Sequence, residues 1–261
     1  MNGLLYIFSF TMGLVGGSFL NGVYYRLPRG CSVLRPRSRC PHCGRQLTLL
    51  ELLPLFSFIG LAGRCRYCRR KISVHYPLVE LAGGLLFVTV ALRFGSTPAT
   101  VAGWFFFSLL LVISLIDGKY KQIPNRLVVV GLAGGGLFRL SRMVLPAAGL
   151  FPTGAWPGAL GGLFVGGGLM LIVFIASRGG MGGGDVKLSG MLGFWIGFPG
   201  ILMTMFFSFL LGALAGLALI LVGRCRFKDS LPFAPFLSLG ALVTVFWGDP
   251  LLRCYFKLIG W

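Results

Sequence analysis

Residues 98–117 read Pro-Ala-Thr-Val-Ala-Gly-Trp-Phe-Phe-Phe-Ser-Leu-Leu-Leu-Val-Ile-Ser-Leu-Ile-Asp, an uncharged run that ends on an acid. An α-helix needs about 20 apolar residues to cross a ~30 Å hydrocarbon core. The run therefore predicts a membrane span over 98–116, closed by Asp117 at one membrane face. Working outward, comparable runs lie at 4–24, 77–94, 127–146, 156–177, 186–199, 200–222 and 232–248. The run at 186–199 is short and Pro199-Gly200 supplies its turn, so a half-helix or one arm of a hairpin is expected there. The composition agrees. Hydrophobic residues make up 56% of the chain and charged residues 11%, against about 25% charged in a soluble domain. The expected fold is an all-α polytopic membrane protein of about eight transmembrane helices.

The net charge of +18 would suit a nucleic-acid surface if it decorated a soluble fold. Its placement says otherwise. Eleven of the 24 basic residues fall between Arg26 and Lys71, and the rest sit in short clusters between apolar runs. With the N-terminus outside, the loops 26–76, 117–126, 178–187 and 223–231 hold nineteen basic residues, and the opposite side holds five: Arg93, Arg139, Arg142, Arg253 and Lys257. That asymmetry is the positive-inside rule, and it puts those four loops in the cytoplasm. No Lys or Arg precedes Arg26 and no A-x-A-like site follows, so the first run reads as a retained span rather than a secretion signal. Glycines four apart at Gly13/Gly17, Gly131/Gly135, Gly162/Gly166 and Gly212/Gly216 suit close helix approach in lipid. The chain divides into a first span plus a loop domain, 1–76, and a bundle, 77–261.

The loop carries Cys40-Pro41-His42-Cys43 and Cys65-Arg66-Tyr67-Cys68. Two C-x-x-C knuckles supply the four thiolates of a tetrahedral zinc-ribbon-like site. A redox or disulfide pair is the competing reading, which a cytoplasmic side disfavours. Four ligands leave no open position, so the expected Zn²⁺ is structural and orders a loop too small to fold by burial alone. His42 reads as a surface residue, and Cys31, Cys225 and Cys254 have no partner pattern.

The chain has six acids, and acids at spans are costly and tend to be functional. Asp117 closes one run and Asp185 opens another, within Gly182-Gly183-Gly184-Asp185-Val186-Lys187. The charge count places both on the cytoplasmic side at similar depth. Two carboxyls sharing one proton are the apparatus of aspartic proteolysis. The glycines before Asp185 offer backbone that an extended peptide could approach as an added strand. Each acid could instead be a helix cap, and the glycine run could cradle a phosphate, although no Gly-Lys-Ser/Thr follows.

Several segments together resemble the bacterial type IV prepilin peptidases, which are bifunctional leader peptidase/N-methyltransferases. They are Gly17-Ser18-Phe19-Leu20-Asn21 through Tyr25-Arg26-Leu27-Pro28, both cysteine knuckles, Glu51-Leu52-Leu53-Pro54 with Ser57, and Ile72 through Glu80. The Asp117 segment through Ile123-Pro124-Asn125 and the segment Gly182 through Leu188 complete the set. The resemblance implies a G-x-G-D aspartic endopeptidase of the bacterial inner membrane, with Asp117 and Asp185 as the catalytic pair and Gly182, Gly183, Gly184 and Lys187 beside the substrate. It implies cleavage of the basic leader of prepilins or pseudopilins, then methylation of the new N-terminus by S-adenosylmethionine. Glu51 and Glu80 are the acids available to that second step; Glu80 could instead only pair with the basic loop. No G-x-G-x-x-G loop is present to hold the cofactor. Many relatives have Pro-Asp where this chain has Pro124-Asn125, and a helix cap is expected there.

Three competing readings remain. A peptidase without methyl transfer would keep the acid pair alone. A transporter would need polar residues at mid-membrane, whereas these acids gather at one face. A membrane scaffold docking a partner through the zinc loop would leave the acid pair unused.

Overall fold

The computed structural model describes residues 2–33, 38–40, 42–48, 50–144, 156–177, 180–224 and 231–258. Cys225, named above, lies outside them, as does the side chain of Cys254. The described chain is helical: α1 (Asn2–Arg26), a short α2 (Phe56–Gly60), α3 (His75–Phe94), α4 (Pro98–Tyr120), α5 (Asn125–Val144), α6 (Trp156–Ala176), α7 (Gly183–Ile196), α8 (Gly200–Leu221) and α9 (Ala234–Leu258). Among the described residues the only extended pairings are two isolated bridges, Arg39 with Gln46 and Arg64 with Lys71.

Every expected apolar run became a helix, and among the described residues six of them, α1, α3, α4, α6, α8 and α9, are long and apolar enough to cross a membrane. Of the other two, α5 carries Arg126, Arg139 and Arg142, and its last three side chains lie outside the described residues. Helix α7 has 14 residues, a length of about 21 Å at 1.5 Å per residue, and it ends at Gly197, whose φ is 80°. Pro199 then stands at the N-cap of α8, so the expected turn is present.

The chain forms two compact units, Met1–Ser108 and Leu109–Trp261, which divide inside α4. In the first, α1 and α3 pack along the glycine stripe. Gly13 meets the backbone of Gly83 and Gly84, and a Cβ on Gly17 would lie 2.6 Å from Glu80 Cα. The Trp104 ring stacks on Phe87 at 5.0 Å and donates its indole N–H to the Phe87 carbonyl.

In the second unit α7 is the buried axis, touching α5, α6, α8 and α9. Leu188, Met191 and Leu192 are fully buried. All three remaining glycine pairs are packing surfaces. Gly162 and Gly166 admit the backbone of α7 at Gly193 and Ser189, Gly131 and Gly135 receive Met191 and Trp195, and Gly212 and Gly216 face Phe233, Phe236 and Leu231. In lipid, where no hydrophobic force joins helices, such close approach is what holds them. Hydroxyls add to it. Ser114 donates to Ser238 at 2.8 Å and Thr204 to Thr244 at 3.0 Å.

Arg139, counted above on the outer side, is buried. Its guanidinium donates to the carbonyls of Phe194 at 2.7 Å and Trp195 at 3.2 Å. Those are last-turn acceptors of α7 with no partner of their own in the helix, and a cation there also favours the helix dipole.

Candidate functional site

Asp117 and Asp185 both belong to the second unit and both are buried, at 5% and 7% exposure. Asp117 sits in the last turn of α4, where its carboxylate gains nothing from its own helix. Its Oδ2 instead accepts the backbone N–H of Ala234 at 3.1 Å. Ala234 is the first residue of α9, so this carboxyl caps a helix far along the chain. Asp185 is the third residue of α7, one turn inside the Gly182 N-cap. Its N–H bonds the Gly182 carbonyl at 3.1 Å, and the Gly182 N–H is turned back on its carboxylate. Its Oδ1 is buried with no hydrogen-bond partner. The two acids are near enough for the Asp117 charge to act on Asp185. Asp185 thus turns its carboxylate toward the first turn of its own helix, as a capping side chain does, while its Oδ1 stays buried and without a partner.

Of the glycine run, only Gly182 has extended backbone, with φ −81° and ψ 138°. Gly183 and Gly184 open α7, so their N–H groups fall among the first-turn donors that no helix carbonyl can satisfy. A Cβ at Gly183 would meet nothing within 4 Å, whereas one at Gly184 would lie 3.0 Å from the Ile123 side chain. Lys187 is exposed and donates to Asn125 Oδ1 at 3.0 Å. Asn125 therefore spends its carbonyl on α7 rather than on capping α5, and it ties together the two segments that carry the acids.

The cysteines gather in the first unit. The Sγ atoms of Cys40, Cys43, Cys65 and Cys68 all lie within 4.8 Å of one another. Cys40 and Cys68 are 3.9 Å apart, close to the edge of about 3.8 Å that four Zn–S bonds of 2.3 Å would give a tetrahedron. The two knuckles repeat each other. Cys40 N–H bonds Arg45 O and Cys65 N–H bonds Arg70 O, each at 2.9 Å, and Gly44 and Arg69 return bonds to Cys40 O and Cys65 O, also at 2.9 Å. The return residue is left-handed in both, at φ 69° for Gly44 and 57° for Arg69. The backbone N–H of Cys68 points at Cys65 Sγ and, with burial opposing it and the Tyr67 N–H assisting, brings that thiol down to about 7. This donor set fits a thiolate-bound metal. His42 is exposed, its Nδ1 3.4 Å from the Arg70 guanidinium.

Glu51 and Glu80 have different surroundings. Glu51 folds back on its own turn, its Oε2 accepting the Thr48 N–H at 2.8 Å and hydroxyl at 3.1 Å. Those bonds, the backbone one foremost, hold its carboxyl below the usual range. Glu80 is buried in α3 beside α1. Its Oε2 accepts the Leu55 N–H at 2.9 Å, so its loop contact is a backbone amide. The Ser18 hydroxyl also bonds its carboxyl. Nearby, Asn21 donates to the Tyr76 carbonyl at 3.1 Å, while its own Oδ1 is buried and without a partner. No motif announced Ala234, Arg139 or Leu55 as partners, because each acts through backbone groups or across long separations. The signal for Arg139 was a basic residue inside an apolar run.

Comparison with known proteins follows this geometry. Residues 104–217 match the Type IV leader peptidase family and residues 11–94 the Bacterial Peptidase A24 N-terminal domain. A Bacillus subtilis (strain 168) protein named prepilin leader peptidase/N-methyltransferase is 36% identical over 249 residues, covering 95% of this chain and 97% of the relative. The chain belongs to the type IV leader peptidase family. Proteins of the same name from Burkholderia pseudomallei (strain 1026b) and Aeromonas salmonicida (strain A449) are each 34% identical, over 99% and 96% of this chain and 89% and 93% of their own lengths. No solved structure matches the chain. The stretch matching the leader peptidase family contains both buried aspartates, and the N-terminal match contains the four cysteines, Glu51 and Glu80. A polytopic bacterial membrane protein follows from the helices and these relatives together.

Proposed function

We propose that this leader peptidase family member is a bacterial inner-membrane aspartic endopeptidase that removes the basic leader of prepilins or pseudopilins, with Asp117 and Asp185 as its catalytic pair. The observation that carries this is the burial of both carboxyls in one unit, with Asp185 Oδ1 left unpartnered. The pair holds one proton between them. One carboxyl draws a proton from water as the water attacks the scissile carbonyl, and the other donates its proton to the carbonyl oxygen. The free N–H groups of Gly183 and Gly184 and the extended backbone of Gly182 would receive the peptide backbone beside the acids, and Lys187 would hold that ledge to Asn125. Positive-inside asymmetry supports an even number of crossings with the N-terminus outside; counting α5 and the short, protein-buried α7 makes eight and puts both acids at the cytoplasmic face. Co-expression with a prepilin tests the pair. Asp117→Asn and Asp185→Asn should each abolish cleavage, and full cleavage by either variant would end the dyad mechanism.

For the four cysteines we propose a structural Zn²⁺ held by Cys40, Cys43, Cys65 and Cys68, which would fix the loop and take no part in the chemistry. Zinc content of the purified protein should fall when Cys40 and Cys65 are changed to Ser.

The names of the relatives support a second activity, methylation of the new N-terminus. S-adenosylmethionine would supply the methyl group. Of the two candidate acids, Glu80 suits it better than Glu51. Glu51 commits its Oε2 to its own turn and keeps only Oε1 unpartnered, whereas Glu80 is itself buried, with Ser18 and the unpartnered Asn21 Oδ1 beside it as further acceptors fit for an amine. Mass spectrometry of the matured pilin should find normal cleavage without methylation in Glu80→Gln, and normal methylation in Glu51→Gln. A fully methylated product from Glu80→Gln would remove it from this role.

A further inference from the structure

The segment Leu50–Gly60 joins the two cysteine knuckles, and the membrane reading of the loop leaves its most conspicuous feature unexplained. Leu50, Phe56 and Ile59 are 71%, 72% and 73% exposed, and Leu53 is 47% exposed. They recur every third residue along a 3₁₀ turn (Leu50–Leu52) and α2. Pro54 on the other side is buried, and the Phe58 ring packs over Gly63. The segment is thus amphipathic, with its apolar side outward. A loop bathed in water would bury such a stripe.

Its depth is fixed by one hydrogen bond. The Leu55 N–H is held by Glu80, five residues along α3 from His75, which is about 7.5 Å along the helix axis. The ends of α1 and α3 carry the marks of a membrane–water boundary. Tyr24 stacks on His75 at 4.9 Å, Tyr25 lies under Arg29, and Tyr76 is the next residue of α3. A glutamate side chain leans back toward the start of its helix, so Leu55 is held close to the level of that belt. Charge agrees with this position. Residues 26–76 hold eleven Lys and Arg against a single acid, Glu51, and Arg64, Arg66, Arg69, Arg70 and Lys71, directly after the stripe, are all exposed.

We propose that Leu50–Gly60 is an interfacial anchor lying in the membrane surface, with Leu50, Leu53, Phe56 and Ile59 among the acyl chains and the basic knuckle residues on anionic headgroups. Amphipathic segments with an apolar face and a basic surround bind in this way. The cysteine knuckles are then pinned to the bilayer from their connecting segment as well as from α1 and α3, and do not project freely into the cytoplasm.

The full chain carrying Phe56→Trp, and separately Ile59→Trp, can be reconstituted into phosphatidylcholine/phosphatidylglycerol vesicles whose acyl chains are brominated near the headgroup. The emission added over the unsubstituted protein should be lost to the bromines and spared by aqueous iodide. Tyr67→Trp, on the second knuckle, should behave the opposite way. Quenching of the added tryptophans by iodide alone would show that the stripe faces water. Protection from both quenchers would show that protein covers it, another part of the chain or a second copy. Either result would overturn the proposal, and the two positions guard against one variant that misfolds.

Discussion

The glycine seam between α6 and α7 offers the sharpest quantitative test of how this fold holds its acids. A Cβ added at Gly193 would fall on the carbonyl of Gly162 and 3.0 Å from the Leu163 nitrogen, and one at Gly162 would fall on the carbonyl of Gly193. The obstacles are backbone, so no side-chain rotation relieves them. One turn away, a Cβ at Gly166 would sit 2.6 Å from Ser189 O where ordinary contact begins at 3.4 Å; that shortfall is about 0.8 Å, and it is greater at Gly193. Gly193→Ala must therefore push the helices apart by about 1 Å. Overpacking of this kind costs ~1–3 kcal/mol, set against ~1 kcal/mol gained from helix propensity. Function should suffer more than stability. Asp185 lies eight residues upstream on the same helix, and a shift of ~1 Å at reacting groups can cost ~10²-fold in rate. Gly168→Ala is the control, since nothing lies within 4 Å of its Cβ position. Cleavage of a prepilin in membrane vesicles and thermal unfolding in detergent should both fall for Gly193→Ala and neither for Gly168→Ala. Equal behaviour of the two variants, or native cleavage by Gly193→Ala, would refute the claim that this seam positions the acid.

Arg139→Met should lower stability in detergent by about 3 kcal/mol, since it strands two buried carbonyls at the end of α7 and removes two charge-assisted bonds; a thermal melt reads it. Arg69→Gly should raise the chelator resistance of the proposed Zn²⁺ site, because it relieves a left-handed backbone worth ~1 kcal/mol, and Gly44→Ala should do the reverse at the equivalent turn. Asn125→Asp converts its bond with Lys187 into an exposed ion pair worth at most ~1 kcal/mol, so prepilin cleavage should stay within about fivefold of the native rate. A larger loss would show that the Lys187 contact does more than hold two segments together.

Local sequence determined a good deal about this protein. Apolar runs of helical length give helices whatever their neighbours, because in hydrocarbon every backbone polar group must be satisfied within its own segment. Two C-x-x-C knuckles bring four thiols together because each is a tight turn with its own hydrogen bonds, and small residues four apart mark a packing stripe from the helical period alone. The shortness of α7 was legible too, since Pro199-Gly200 turns the chain after its 14 residues. What tertiary structure alone decided was partnership. Whether Asp117 and Asp185 stand near one another depends on how α4 and α7 pack, and one carboxylate caps a helix that begins 117 residues later in the chain. Arg139, read as an outer-side charge, proved to be the cap of α7. Asn125 gave its carbonyl to Lys187, and Glu80 fixed the depth of Leu55. Each of these joins a side chain to a backbone or amide group at long separation, where residue type carries almost no signal and only the packed chain brings donor and acceptor into reach.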